Sequence, residues 1–77
     1  IMDNQKPKFA VICKWDEDGT KKWDTVLFDV THDVANIAHS DMSGKIYKND
    51  DDSVWECTFH VITMHEYNEL LKLENND

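Results

Sequence analysis

The chain has no arginine, and all eight of its basic residues are lysine. With asparagine common, this is the coding bias of an AT-rich genome, such as many phages have, and it implies no mechanism. Glycine is nearly absent. With only Gly19 and Gly44, no glycine-rich phosphate loop can be built. Pro7 is the sole proline. Two cysteines, Cys13 and Cys57, do not make a disulfide framework, and no Cys-x-x-Cys pair is present. Both lie in alternating apolar stretches, where free cysteine behaves as a small hydrophobe, so they read as reduced core residues. A single inter-strand bridge is the alternative. No apolar run resembles a signal peptide or could span a membrane, which sets the expected location as the cytoplasm. Ile1, ahead of Met2, reads as an addition before the natural start.

What is present is acid and aromatic surface. Sixteen acidic residues against eight lysines give a net charge of −8. A field of that sign repels phosphates and anionic lipid, so direct nucleic-acid or membrane binding is not expected. A basic protein surface is the natural complement. Trp15, Trp23, Trp55, Phe9, Phe28, Phe59, Tyr47 and Tyr67 supply apolar area that disordered acidic chains lack. Seventy-seven residues suffice for one domain with a thin core, burying only about 60% of the unfolded surface.

The chain divides into a polar lead-in over 1–7, a single α+β domain over 8–74 and a tail over 75–77. Residues 8–15 read as a strand with Phe9, Val11, Cys13 and Trp15 on one face and Ala10 and Ile12 on the other. Residues 23–30 form its hairpin partner. Setting Trp15 opposite Trp23 also sets Lys14 opposite Asp24, Ile12 opposite Val26 and Val11 opposite Leu27. The tighter loops that set Lys14 opposite Lys21 or Lys22 place like charges face to face. The preferred register leaves a long polar loop over 16–22.

Residues 31–42 read as a short helix, capped by Thr31 or Asp33, with Val34, Ile37, Ala38 and Met42 at helical spacing. A short strand is expected over 45–48 and a strong one over 54–62, where Trp55, Cys57, Phe59 and Val61 alternate with Glu56, Thr58 and His60. Trp55 is expected in the core. Thr63-Met64-His65-Glu66 fits the capping box, with Ile62 and Tyr67 at the staple positions. The helix that follows runs to about residue 73 and buries Met64, Tyr67, Leu70 and Leu71. The order is β-β-α-β-β-α: an antiparallel four-stranded sheet from two hairpins, with both helices on one face. The first hairpin is apolar on both faces, so the face left bare suggests a homodimer through the sheet.

Two turns concentrate the acid: Asp16, Glu17 and Asp18 before Gly19, and Asp50, Asp51 and Asp52 between Asn49 and Ser53. Neither supplies the twelve-residue ligand run of an EF-hand, and their ordinary reading is solvated hairpin turns. If both leave one end of the sheet, they form one negative patch. Trp15 and Trp23 beside the first turn are candidate interface anchors. The partner-binding set is therefore Asp16, Glu17, Asp18, Asp50, Asp51, Asp52, Trp15 and Trp23.

Four histidines, His32, His39, His60 and His65, match no common zinc spacing, so no metal and no cofactor are expected. Ser40 and Ser43 lie near His39 without a third partner, and both cysteines face the core, so the chain reads as a non-enzyme. No family motif stands out. In size, acidity and AT-rich composition the chain resembles the small inhibitors that phages direct against host proteins. Among these are counter-defence proteins that block restriction or CRISPR systems, some by imitating DNA with spaced carboxylates. The resemblance covers general character and no specific residues. It implies a protein-binding inhibitor that occludes a basic site on a host nucleic-acid-processing protein. A small metal- or ligand-binding domain and a structural subunit of a larger assembly are the readings from other classes.

Overall fold

A computed structural model describes residues 7–44, 48, 50–53 and 56–75. Its elements are β1 (Phe9–Glu17), β2 (Thr20–Val30), α1 (His32–Ser43), β3 (Thr58–Thr63) and α2 (Met64–Asn75). The fold is α+β, with an antiparallel sheet in the order β2-β1-β3. Among the described residues the sheet has three strands, not four, and the order is β-β-α-β-α. Among the described residues β3 pairs with β1. Of the strand expected over 45–48, residues 45–47 lie outside the described residues. So do Val54 and Trp55, with the core position expected for Trp55.

β1 is the central strand, and among the described strands it alone is buried on both faces. Ala10, Val11 and Ile12 are fully buried and Cys13 nearly so. Burying side chains the size of Val11 and Ile12 contributes about 1.5–3 kcal/mol each. β1 and β2 close through Asp18-Gly19, with φ of 53° and 83°. Positive φ at both positions is the signature of the two-residue type I′ turn, whose twist matches that of the strands.

This tight turn corrects the expected long loop over 16–22. It sets Lys14 opposite Trp23, Trp15 opposite Lys22 and Asp16 opposite Lys21. The last pair is an exposed salt bridge of 3.0 Å. Trp15 and Trp23 are therefore not a cross-strand pair. Of the expected pairs only Val11–Leu27 forms, because β2 carries two extra residues. Val26 is unmatched between Leu27, opposite Val11, and Thr25, opposite Ile12. Between Leu27 and Val30 the second irregularity falls at Asp29, whose φ is 59°. Each such bulge shifts the register by one.

The two helices lie on opposite faces of the sheet, which corrects the expectation that both cover one. Ala10 and Ile12 form a cluster with Tyr67 of α2, packed by Trp23, Ile62, Met64, Leu70 and Leu71. The alternate residues Phe9, Val11 and Cys13 face the other way, towards α1. There Phe9 meets the His32 ring edge-on at 4.8 Å, and Ala35 is fully buried. With β1 covered on both sides, the bare face that suggested a homodimer through the sheet loses its premise.

The expected helix starts are found. Thr31 Oγ1 accepts from the Val34 N–H at 3.4 Å. Thr63 Oγ1 accepts from the Glu66 N–H at 3.1 Å, while the Thr63 N–H donates back to Glu66 Oε1 at 2.9 Å. This is the reciprocal capping box. α2 turns Met64, Tyr67, Leu70 and Leu71 to the core, as its spacing predicts. α1 is rotated from expectation: its sheet side is Ala35, Ala38, His39 and Met42, leaving Val34 and Ile37 in solvent. Small Ala35 lets the helix approach the strands, and His39 Nε2 donates to the Phe59 carbonyl at 2.9 Å.

Candidate functional site

The eight expected binding residues divide between two places. Asp16, Glu17 and Asp18 form the tip of the β1–β2 hairpin. Thr58, the first residue of β3, lies opposite Lys14, so the chain after Asp50, Asp51 and Asp52 joins the sheet at that same end. The two hairpin strands continue past this point to the tip. The ladder places the start of β3 towards this end, and Asp50, Asp51 and Asp52 precede it by six or more residues in the chain.

Asp16 is tied to Lys21. Glu17 Oε1 accepts a long 3.5 Å bond from Trp15 Nε1. Asp51 accepts from both the N–H and the hydroxyl of Ser53, at 3.0 and 2.6 Å, which closes its turn. Those bonds hold its carboxyl below the usual range. Asp18, Asp50 and Asp52 are exposed and make no ion pair among the described residues.

The tryptophans part company. Trp23 packs edge-on against Tyr67, with centroids 6.1 Å apart, on the α2 side. Trp15 is on the other face and half-exposed. Trp23 also borders a feature that the sequence did not reveal: a cleft of about 270 Å³ lined by Lys14, Trp15, Lys21, Lys22, Trp23 and Leu70. The signal for it was the Asp18-Gly19 dipeptide. Read as a two-residue turn, it would have put Lys14 beside Trp23.

The histidines do not converge. No group of three or more His, Cys, Asp or Glu is placed to hold a metal among the described residues. His60 Nε2 lies 2.8 Å from Thr58 Oγ1. Burial, then the Lys14 charge and His39, push its pKa below the ordinary 6.5. The fold therefore favours the neutral ring, and as pH falls the unfolded chain takes up this proton first. The contribution is full above pH 6.5 and declines as pH drops from there towards the lowered folded value. His60→Gln is expected to flatten that decline, read as urea midpoints between about pH 5.5 and 7.5. An unchanged slope would assign the dependence to another group.

Both cysteines are free thiols. Burial, then Cys57 and Asp24, raises the pKa of Cys13, and burial raises that of Cys57, so neither is an activated nucleophile at neutral pH. Cys13 faces Phe59, which leaves Cys57 on the diagonal. Diagonal neighbours stand about 7–8 Å apart, beyond the usual Cα span of a disulfide, about 4.4–6.8 Å. Among the described residues no helix is long and apolar enough to cross a membrane. No protein-family model, curated protein or solved structure matches the chain.

Proposed function

We propose that this chain is a non-catalytic protein-binding module that presents the acidic end of its sheet to a basic protein surface. The observation that supports the reading is the acidic hairpin tip of Asp16, Glu17 and Asp18, with Asp50, Asp51 and Asp52 exposed in a second acidic turn, on a chain of net charge −8. Exposed carboxylates speed encounter with a basic partner and set orientation, while buried aromatic contacts hold it. The partner chemistry that fits is a lysine- or arginine-rich site of a host protein that itself handles nucleic acid. Occluding such a site is inhibition, which agrees with the general resemblance to phage counter-defence proteins.

The test is affinity capture from lysate of the source cell with three variants beside the parent. Asp50, Asp51 and Asp52 are changed to lysine in one, and Asp16, Glu17 and Asp18 in another. The third reverses Glu69 and Glu74 on α2. Loss of the captured basic protein with the first two and retention with the third is expected. Equal capture by all would place the interface elsewhere and sink the reading. Displacement of the parent by duplex DNA, with steep loss of binding in salt, is the result for a DNA mimic. Salt-insensitive capture indicates ordinary surface complementarity.

A further inference from the structure

β2 is an edge strand. With the order β2-β1-β3, one side of it pairs with β1 and the other has no strand beside it among the described residues. Both helices contact β1 and β3 more than β2, so neither covers that outer side.

The hairpin fixes which backbone groups point outward. Its two-residue turn makes Glu17 and Thr20 a hydrogen-bonded pair, and bonded and non-bonded pairs alternate from there. Lys22 and Asp24 therefore aim their N–H and C=O groups at β1. Lys21, Trp23 and Thr25 aim theirs outward. The Thr25 N–H agrees with this phase, since it donates to its neighbour's carboxylate, Asp24 Oδ1, at 2.8 Å.

An open edge accepts many strands unless its side chains discriminate. Here Lys22 and Asp24 flank Trp23, are both exposed, and make no ion pair among the described residues. Two copies of this stretch, antiparallel about a two-fold axis at Trp23, set Trp23 opposite Trp23 and Lys21 opposite Thr25. Those are the residues whose backbone groups point outward, so each pair exchanges both N–H···O=C bonds. The same register sets Lys22 opposite Asp24 on both sides of the axis. These fall at non-hydrogen-bonded positions, where Cα atoms about 4.5 Å apart bring side chains closest. The next registers in phase set Lys22 opposite Lys22 or Asp24 opposite Asp24, which like charge disfavours. One step further sets Lys21 opposite Lys21 or runs into the bulge at Val26. One register alone satisfies hydrogen bonds and charge together.

We propose that the chain self-associates edge to edge, with β2 of one copy pairing antiparallel with β2 of a second about Trp23. The contact is isologous and closes at the dimer. Asp24 releases the Thr25 N–H to the Lys21 carbonyl of the second copy and turns to its Lys22. A contact of this length is below the area of a permanent dimer, so Kd is on the order of 10 μM to 1 mM. It uses neither face of the sheet and none of the acidic-turn carboxylates, so partner capture and dimerisation can fail independently.

Sedimentation velocity from about 10 μM to 1 mM reads the outcome. Salt of about 0.15 M screens the repulsion between copies of net charge −8. The parent is expected to pass from the 9.0 kDa monomer to twice that mass and stop there. Asp24→Lys and Lys22→Asp each set like charges opposite and should each stay monomeric. Mixed in equal amounts, the two variants should form a 1:1 heterodimer, because every opposed pair is again of opposite sign. The double variant should dimerise like the parent. Both positions are exposed, and circular dichroism of each variant checks the fold. Amide hydrogen exchange should show the Lys21 and Trp23 N–H groups gaining protection as concentration rises, while those of Lys22 and Asp24 are protected throughout. A parent that stays monomeric at the highest concentration overturns the proposal. So does a dimer that survives either single reversal, or one that forms with no gain of protection at Lys21 and Trp23.

Discussion

Ile12→Ala is expected to lower the free energy of unfolding by about 2–5 kcal/mol, the range for a large-to-small change at a fully buried aliphatic site. Ile12 is wholly inaccessible and sits mid-strand, with Thr25 on one side and His60 on the other. Tyr67 closes over it from α2. Alanine removes apolar area and leaves a void that neighbours fixed in two ladders cannot fill. At about 0.05–0.15 kcal/mol per residue, a chain of 77 residues has about 4–12 kcal/mol of stability. The one substitution can therefore consume much of it. Urea unfolding followed by circular dichroism measures the loss. Ile37→Ala, on the exposed side of α1, should stay within about 0.5 kcal/mol of the parent. A cost at Ile12 below about 1 kcal/mol would mean that β1 is not the centre of the core.

Tyr67→Ala is expected to cost about 3–5 kcal/mol, as for other large aromatic truncations. Among the described residues Tyr67 is the one α2 residue in the buried core. Its ring stacks on Phe28 at 5.9 Å and meets Trp23 edge-on, so it joins α2 to β2 as well as to β1. Its hydroxyl lies 2.9 Å from Thr25 Oγ1. Tyr67→Phe keeps the ring and removes that bond, which should cost about 1 kcal/mol. The gap between the two substitutions separates packing from hydrogen bonding. A Tyr67→Phe loss equal to that of Tyr67→Ala would assign the stability to the Thr25 contact. The indole emission of Trp23 should also move to longer wavelength in Tyr67→Ala, since the ring that covers it is gone.

Features that act over a few residues were readable from the chain. The capping box at Thr63 and Glu66 needs only spacing three, and its geometry follows from the helix itself. The core side of α2 was readable because Tyr67, Leu70 and Leu71 leave no competing apolar stripe. α1 was not, because alanine and aliphatic residues occupy two adjacent stripes. The sheet selected the one with small Ala35, leaving the larger Ile37 outside. The hairpin failed differently. Avoiding lysine opposite lysine was sound, but the register adopted, with Lys14 opposite Trp23, also avoids it and uses the favoured I′ turn.

The candidate site shows the same division. Its acid is legible as sequence, since Asp16, Glu17, Asp18, Asp50, Asp51 and Asp52 form two short runs between apolar stretches. Where β3 starts relative to the hairpin tip depends on its pairing with β1 in antiparallel sense. The lysine-rimmed cleft was not legible because its residues come from β1, β2 and α2.

By itself the sequence determined the charge, the two strands of the first hairpin and both helix starts. These follow from composition and from spacings of two to four residues. The tertiary structure decided the partner of β3, the bulges at Val26 and Asp29, and the placing of the helices on opposite faces. The physical reason is the two-residue period of a strand. One extra residue turns all that follows to the other face, and whether it is accommodated depends on what packs there from distant parts of the chain.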